Sequence, residues 1–118
     1  MRKKDEQRSK HSATPDVNLP DTASEMAQKH PTLWRAFQEL GKAASQAGPL
    51  DDRTRRLVHL AFAIAADSEG AAHSHVRRAL AEGISADELD HVALLAVTTL
   101  GWPKAMKGLS WVRDITRG

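Results

Sequence analysis

Residues 68–80 read SEGAAHSHVRRAL, and the rest of the chain is organised around this segment. An apolar helical run enters it, and a further helical pattern follows it. Alanine, arginine and leucine are good helix formers, so the segment predicts a helix over about 69–81. Gly83 suits the left-handed position that follows a helix. The side chains capable of chemistry lie in this segment or are expected to pack against it.

The flanking segments predict further helices. Asp51 and Asp52 precede a run that is apolar nearly all round over 57–65, which predicts a helix buried on most sides. Ser85 with Glu88 predicts a capping box at the next helix, and a last helix is expected over about 103–116. An earlier helix over about 24–39, interrupted at Pro31, has one apolar face: Leu33, Trp34, Phe37 and Leu40. The fourth helix has another: Leu89, Val92, Ala93, Leu95, Ala96 and Leu100. No alternating β-branched run is present, so the sequence predicts an all-α fold.

Composition limits the classes of function. A chain of 118 residues predicts one domain, over 22–118, preceded by a disordered polar and basic tail over 1–21 that is either solvated or a basic arm for an anionic surface. A net charge of +2 gives no strong case for nucleic acid as partner. No apolar run is long enough to span a membrane, so we expect a cytoplasmic protein. The absence of cysteine excludes disulfides, thiolate nucleophiles and cysteine-based zinc sites.

Three stretches carry a resemblance to a known family. They are LDDRTRRLVHLAFAIAADSEG at 50–70, HVRRALAEGISADEL at 75–89 and GWPKA at 101–105. Together they resemble the carboxymuconolactone decarboxylase family in its broad sense, which includes the alkylhydroperoxidase D-like proteins. The resemblance implies a compact multi-helix domain assembled as a trimer or hexamer, with pockets near the subunit boundaries.

The resemblance also implies where a redox site would lie. Redox-active members use a glutamate on the apolar helix, a CxxC pair and a histidine four residues after the second cysteine. The two cysteine positions fall on Ser68 and Ala71, the histidine on His75 and the glutamate on Arg56. A serine hydroxyl cannot replace a thiolate in peroxide reduction. Peroxidase or disulfide-reductase activity of the usual kind is therefore not expected.

His75 and Arg56 are the candidate catalytic residues. Histidine titrates near neutral pH and could exchange a proton with an enol or lactone. If the two helices pack as the resemblance implies, Arg56 lies close to His75, where its guanidinium suits a small ligand that bears a carboxylate. Alternatively, Arg56 pairs with an acid such as Asp52 and His75 is a core histidine. Glu69, six residues before His75, is about 120° away from it around a helix, which disfavours a carboxylate–histidine pair.

Two other side-chain combinations are weaker. Ser68 and His75 share a helical stripe but lie about 10 Å apart along the axis, too far for a nucleophilic dyad. His73 and His75 could bind a metal together with His59 or His91, yet residues two apart on a helix point in different directions. We therefore expect neither a metal nor a cofactor. His59 is most simply a core or interface histidine, and His73 a surface or subunit-contact residue.

The sequence leaves two functions open. In one, the chain is a non-peroxidase, oligomeric small-molecule-binding or scaffold protein whose SEGA at 68–71 corresponds to a lost CxxC. In the other, it is a cysteine-independent decarboxylase or isomerase acting on a carboxylate-bearing lactone or enol, with His75 as general acid/base. A homo-oligomer is expected in both, because a small core does not readily cover all the large apolar side chains, which include Trp34, Trp102 and Trp111.

Overall fold

A computed structural model of the chain describes residues 21–118, and these residues form α-helices and one short 3-10 helix, with no strand among them. The helices are α1 (Asp21–Lys29), α2 (Pro31–Ser45), α3 (Asp52–Ala65), α4 (Glu69–Ala81), α5 (Ala86–Leu95) and α6 (Trp102–Thr116), and the 3-10 helix is Ala96–Thr98. The all-α prediction is confirmed. The predicted tail lies outside the described residues except for Asp21, the first residue of α1. Two compact units, 21–49 and 50–118, are described separately, and a single domain over 22–118 stays a prediction.

The first unit contains α1 and α2. The helix predicted to be interrupted at Pro31 is two helices, because His30 has a non-helical backbone and Pro31 begins α2. Trp34 is buried, and its ring centroid lies 5.7 Å from that of Phe37. The rest of the predicted apolar face is exposed: Leu33, Phe37 and Leu40. Residue periodicity identifies such a face but does not show whether anything covers it.

In the second unit, the helix ends follow the predicted local signals. The Asp51 carboxylate accepts a hydrogen bond from the Thr54 backbone N–H at 2.8 Å and caps α3. Ser85 and Glu88 form both bonds of the capping box at the start of α5. Gly83 has a φ of 90°, the left-handed conformation expected after α4. These signals act over three or four residues, which is why the sequence predicts them well.

The core of this unit is formed where α4 packs against α3 and α6. Its fully buried side chains include Leu60, Ile64, Val76, Leu89 and Val112. Helices α3 and α6 approach closely at Gly108, where an added Cβ would lie 2.7 Å from Ile64 Cγ2. Small residues therefore set the spacing of the helices that position α4.

Two apolar surfaces differ from the sequence expectation. The sequence predicts that helix α3 is buried on most sides, but its outward face is open and Phe62 is 65% exposed. Helix α5 ends at Leu95 and continues as the 3-10 helix, and both Leu95 and Leu100 are exposed rather than part of the buried side. Of the two tryptophans in this unit, Trp111 is buried and Trp102 is exposed. Along residues 21–118, no helix is long and apolar enough to span a bilayer.

Candidate functional site

The packing of α3 on α4 brings the two predicted site residues together. Arg56 lies near the start of α3 and His75 in the middle of α4. The distance from Arg56 Nη1 to His75 Nδ1 is 2.8 Å. Arg56 therefore lies close to His75, as expected from the resemblance.

Glu82, which follows α4, is the third member of this group. Arg56 Nε donates to Glu82 Oε1 at 2.9 Å, and Arg56 Nη2 donates to Glu82 Oε2 at 2.8 Å. The Arg56 side chain is only 15% exposed, whereas that of Glu82 is 44% exposed. The predicted alternative, a pairing of Arg56 with an acid, is therefore present, but the acid is Glu82 rather than Asp52, which pairs with Arg55. We call Arg56, His75 and Glu82 the arginine network.

The arginine network fixes the protonation of the imidazole. A guanidinium only donates hydrogen bonds, so His75 Nδ1 accepts the bond from Arg56 and the proton of the neutral ring lies on Nε2. Burial lowers the pKa of His75 to about 4, and the charge of Arg56 adds to this effect. His59 and Arg78 lower it further, while Glu82 opposes them. At neutral pH His75 is therefore a neutral ring that can donate from Nε2, and its Nδ1 lone pair is engaged.

Arg56 is also less available as an anion clamp than the sequence suggested. Its charge is balanced by the carboxylate of Glu82, and its hydrogen bonds lower the pKa of that carboxyl group. An incoming carboxylate would have to compete with a bidentate partner already in place. The catalytic roles assigned to His75 and Arg56 stay predictions.

The two positions that the resemblance assigns to cysteines lie at the start of α4. Ser68 precedes the first residue of the helix, and its carbonyl accepts from Ala72 N–H at 2.9 Å. Ala71 is partly buried against the core. Neither side chain offers a thiol, and Ser68 lies two helical turns before His75, as the sequence indicated.

The histidines considered as metal ligands lie in three different places. His59 is exposed, and its ring centroid is 5.3 Å from that of His75. His73 instead contacts Asp114, with 3.0 Å between Nε2 and Oδ2. His91 lines a groove between α3 and α5. The combination of His73 with His75 that the sequence raised is therefore not formed.

A groove lies between α3 and α5. It has a volume of about 590 Å³ and a mostly apolar lining, with polar groups that include Glu88 and His91. Apolar side chains from both helices and the segment after α5 line it: Leu57, Ala61, Phe62, Val92, Leu95 and Leu100. Neither Arg56 nor His75 is among the described residues that line it. The two candidate catalytic residues therefore lie outside this groove.

Comparison with known proteins shows the family to which the chain is related. The model of the carboxymuconolactone decarboxylase family matches residues 31–114, most of the chain. The chain belongs to this family. Among curated proteins, an uncharacterized protein of Haemophilus influenzae is 34% identical over 55 residues, which cover 47% of this chain and 49% of the relative. The match thus spans about half the length of that relative. No solved structure matches the chain.

Membership of the carboxymuconolactone decarboxylase family makes the arginine network informative. The position that the resemblance assigns to a relay glutamate carries Arg56, and a carboxylate is supplied by Glu82 instead. The sequence prediction does not include Glu82, because its partner Arg56 lies 26 residues away on another helix. The available signal was its spacing of seven residues from His75, which places both on one stripe of a helix. The long side chain of Arg56, which comes from α3, reaches both His75 and Glu82.

Proposed function

We propose that the protein is a non-peroxidase, cysteine-free member of the carboxymuconolactone decarboxylase family that binds a small, largely apolar molecule in the groove between α3 and α5. The observation that carries this proposal is the groove itself, at about 590 Å³. Ligand sites commonly have volumes of roughly 300–1,000 Å³, apolar walls and a few polar groups that orient the ligand. The exposed side chain of Phe62 provides an aromatic wall, and His91 provides a polar group.

The experiment measures binding of a fluorescent apolar anion, anilinonaphthalene sulfonate, to the folded chain. Ala61 lines the groove, so Ala61→Phe fills it, while Ala81→Phe makes the same change at an exposed position outside the lining. We expect the first variant to weaken binding at least tenfold and the second to leave it unchanged. Equal affinities in the two variants, or no saturable binding by the wild type, would overturn the proposal. Loss of binding on self-association would identify a second copy as the occupant instead.

A cysteine-independent lyase or isomerase is the second candidate. It is favoured by one observation, the 2.8 Å contact that leaves the proton of His75 on Nε2. In this role His75 would donate a hydrogen bond to an oxygen on which charge develops, and Arg56 would hold the ring in place. The test is turnover of a carboxymuconolactone by the wild type and by His75→Gln. Turnover that survives the substitution contradicts the role of His75, and the absence of turnover by the wild type removes this candidate.

We further propose a homo-oligomer, a trimer or a hexamer, located in the cytoplasm. The apolar face of α2 and the exposed Trp102 support assembly, because large apolar patches on a stable protein are usually covered. Light scattering of the full chain at micromolar concentration should give a multiple of the chain mass. A monomeric mass would remove the assembly from the proposal without affecting the groove.

A further inference from the structure

A second group of polar side chains lies apart from the arginine network, at the start of α4 and the end of α6. Glu69 and His73 are one helical turn apart on α4, and Asp114 comes from α6. His73 Nε2 lies 3.0 Å from Asp114 Oδ2 and 3.9 Å from Glu69 Oε2. One nitrogen and two carboxylate oxygens, all within 4.8 Å of one another, therefore converge from two helices.

The distances from His73 to the two acids fit the coordination shell of one metal ion. Zinc lies about 2.0–2.2 Å from imidazole nitrogen and carboxylate oxygen, so two of its ligands are roughly 3–4 Å apart. The two distances from His73 fall in this range. Three protein ligands of this kind leave coordination positions open for water or an exogenous ligand.

The charges in the group also favour a cation. Among the described residues, the ion-pair partner of both Glu69 and Asp114 is His73, and neither acid is paired with a lysine or arginine. By contrast, Asp67 lies beside two lysines and Glu82 is paired with Arg56. A protonated His73 still leaves one negative charge, and a neutral His73 leaves two. A divalent cation on a neutral imidazole balances the group.

We propose that Glu69, His73 and Asp114 bind a divalent transition-metal ion such as Zn²⁺. The site differs from the metal arrangement considered from the sequence, which joined His73 to other histidines. It is also independent of the groove, whose lining contains none of the three residues.

The full chain is first stripped of metal with a chelator and is then titrated with Zn²⁺ and with Co²⁺. Calorimetry measures the binding, and the visible absorption of bound Co²⁺ gives a second readout. We expect one ion per chain. His73→Ala and Asp114→Asn should each weaken binding by roughly tenfold or more. His91→Ala and Asp87→Asn remove the same kinds of ligand elsewhere in the second unit and serve as matched controls.

Three outcomes are informative. Binding lost in the cluster variants and kept in the controls supports the site. Equal affinity in His73→Ala and His91→Ala, or no Co²⁺ spectrum at millimolar metal, overturns it. Because both Glu69 and Asp114 are exposed, Glu69→Gln provides a further variant whose fold is expected to be intact. Its circular dichroism spectrum separates loss of metal binding from loss of structure.

Discussion

Replacing Glu82 with glutamine tests whether charge holds the arginine network together. Glutamine is nearly the same size as glutamate, so packing is conserved. It keeps one oxygen that can accept from Arg56 but replaces the other with an amide nitrogen that can only donate. One of the two bonds, at 2.8 and 2.9 Å, is therefore lost, and the guanidinium loses its counter-charge.

The expected magnitude follows from the partial burial of the pair. Hydrogen bonds to charged groups contribute about 1.5–3 kcal/mol, whereas a fully exposed ion pair contributes about 0–1 kcal/mol. Arg56 is 15% exposed and Glu82 is 44% exposed, so the pair lies between these limits. We expect Glu82→Gln to lower the free energy of unfolding by about 1–2 kcal/mol at pH 7.

The effect should depend on pH with a definite sign. Hydrogen bonding from Arg56 is the main cause of the lowered pKa of Glu82 in the folded chain. A carboxyl group whose folded pKa is depressed stabilises the protein above its unfolded pKa, and this stabilisation disappears as the pH falls through the folded value. The difference between wild type and Glu82→Gln should thus be largest near neutral pH and vanish in strong acid.

The assay is urea unfolding followed by far-ultraviolet circular dichroism at neutral and acidic pH. A double-mutant cycle with Arg56→Gln isolates the pairwise energy from other effects of either change. A coupling energy near zero at pH 7, or one that stays the same in acid, would refute the reasoning.

Two further predictions concern packing and protonation. Gly108→Ala should lower the urea midpoint, because overpacking costs about 1–3 kcal/mol and alanine gains only about 1 kcal/mol over glycine in a helix, while the new Cβ would lie 2.7 Å from a buried Ile64 methyl group. Gly70→Ala, which meets open space, should be neutral or stabilising, and an increase in stability for the Gly108 variant would contradict the close approach. The NMR titration of His75 in chelator-treated protein should have its midpoint near the pKa of about 4 rather than 6.5, and Arg56→Gln should raise it. Because the folded pKa is the lower one, stability should fall as the pH drops from about 6.5 to about 4, and His75→Gln should remove this slope.

The sequence predicted those parts of the fold that depend on local signals. The cap at Asp51 and the capping box at Ser85 and Glu88 follow from residues within one turn of each other, and the range of α4 follows from a run of helix formers that ends before Gly83. The open faces around Phe62 and Leu95 were not predicted. Apolar periodicity identifies a face that can be buried, but it does not say whether the chain itself supplies the element that buries it.

The candidate site shows the same division between local and distant information. The contact of Arg56 with His75 was foreseen through the resemblance, which places their positions on packed helices. The pairing of Arg56 with Glu82, 26 residues away, depends on how far a long side chain reaches across the α3–α4 contact. Helical angles describe residues on one helix and do not describe such a bridge.

The arginine network also explains how a charge reversal can be accommodated beside His75. The resemblance places a carboxylate where Arg56 stands, and an isolated guanidinium with 15% exposure would be costly to leave unpaired. Glu82 supplies a carboxylate from the residue that follows α4, so the charge of Arg56 is balanced within the group. The partner of Nδ1 decides the tautomer, because a carboxylate there would favour a proton on Nδ1, whereas Arg56 requires Nδ1 to accept. Relative to the redox pattern that the resemblance implies, this chain therefore has no thiol and holds the proton of its neutral histidine on Nε2.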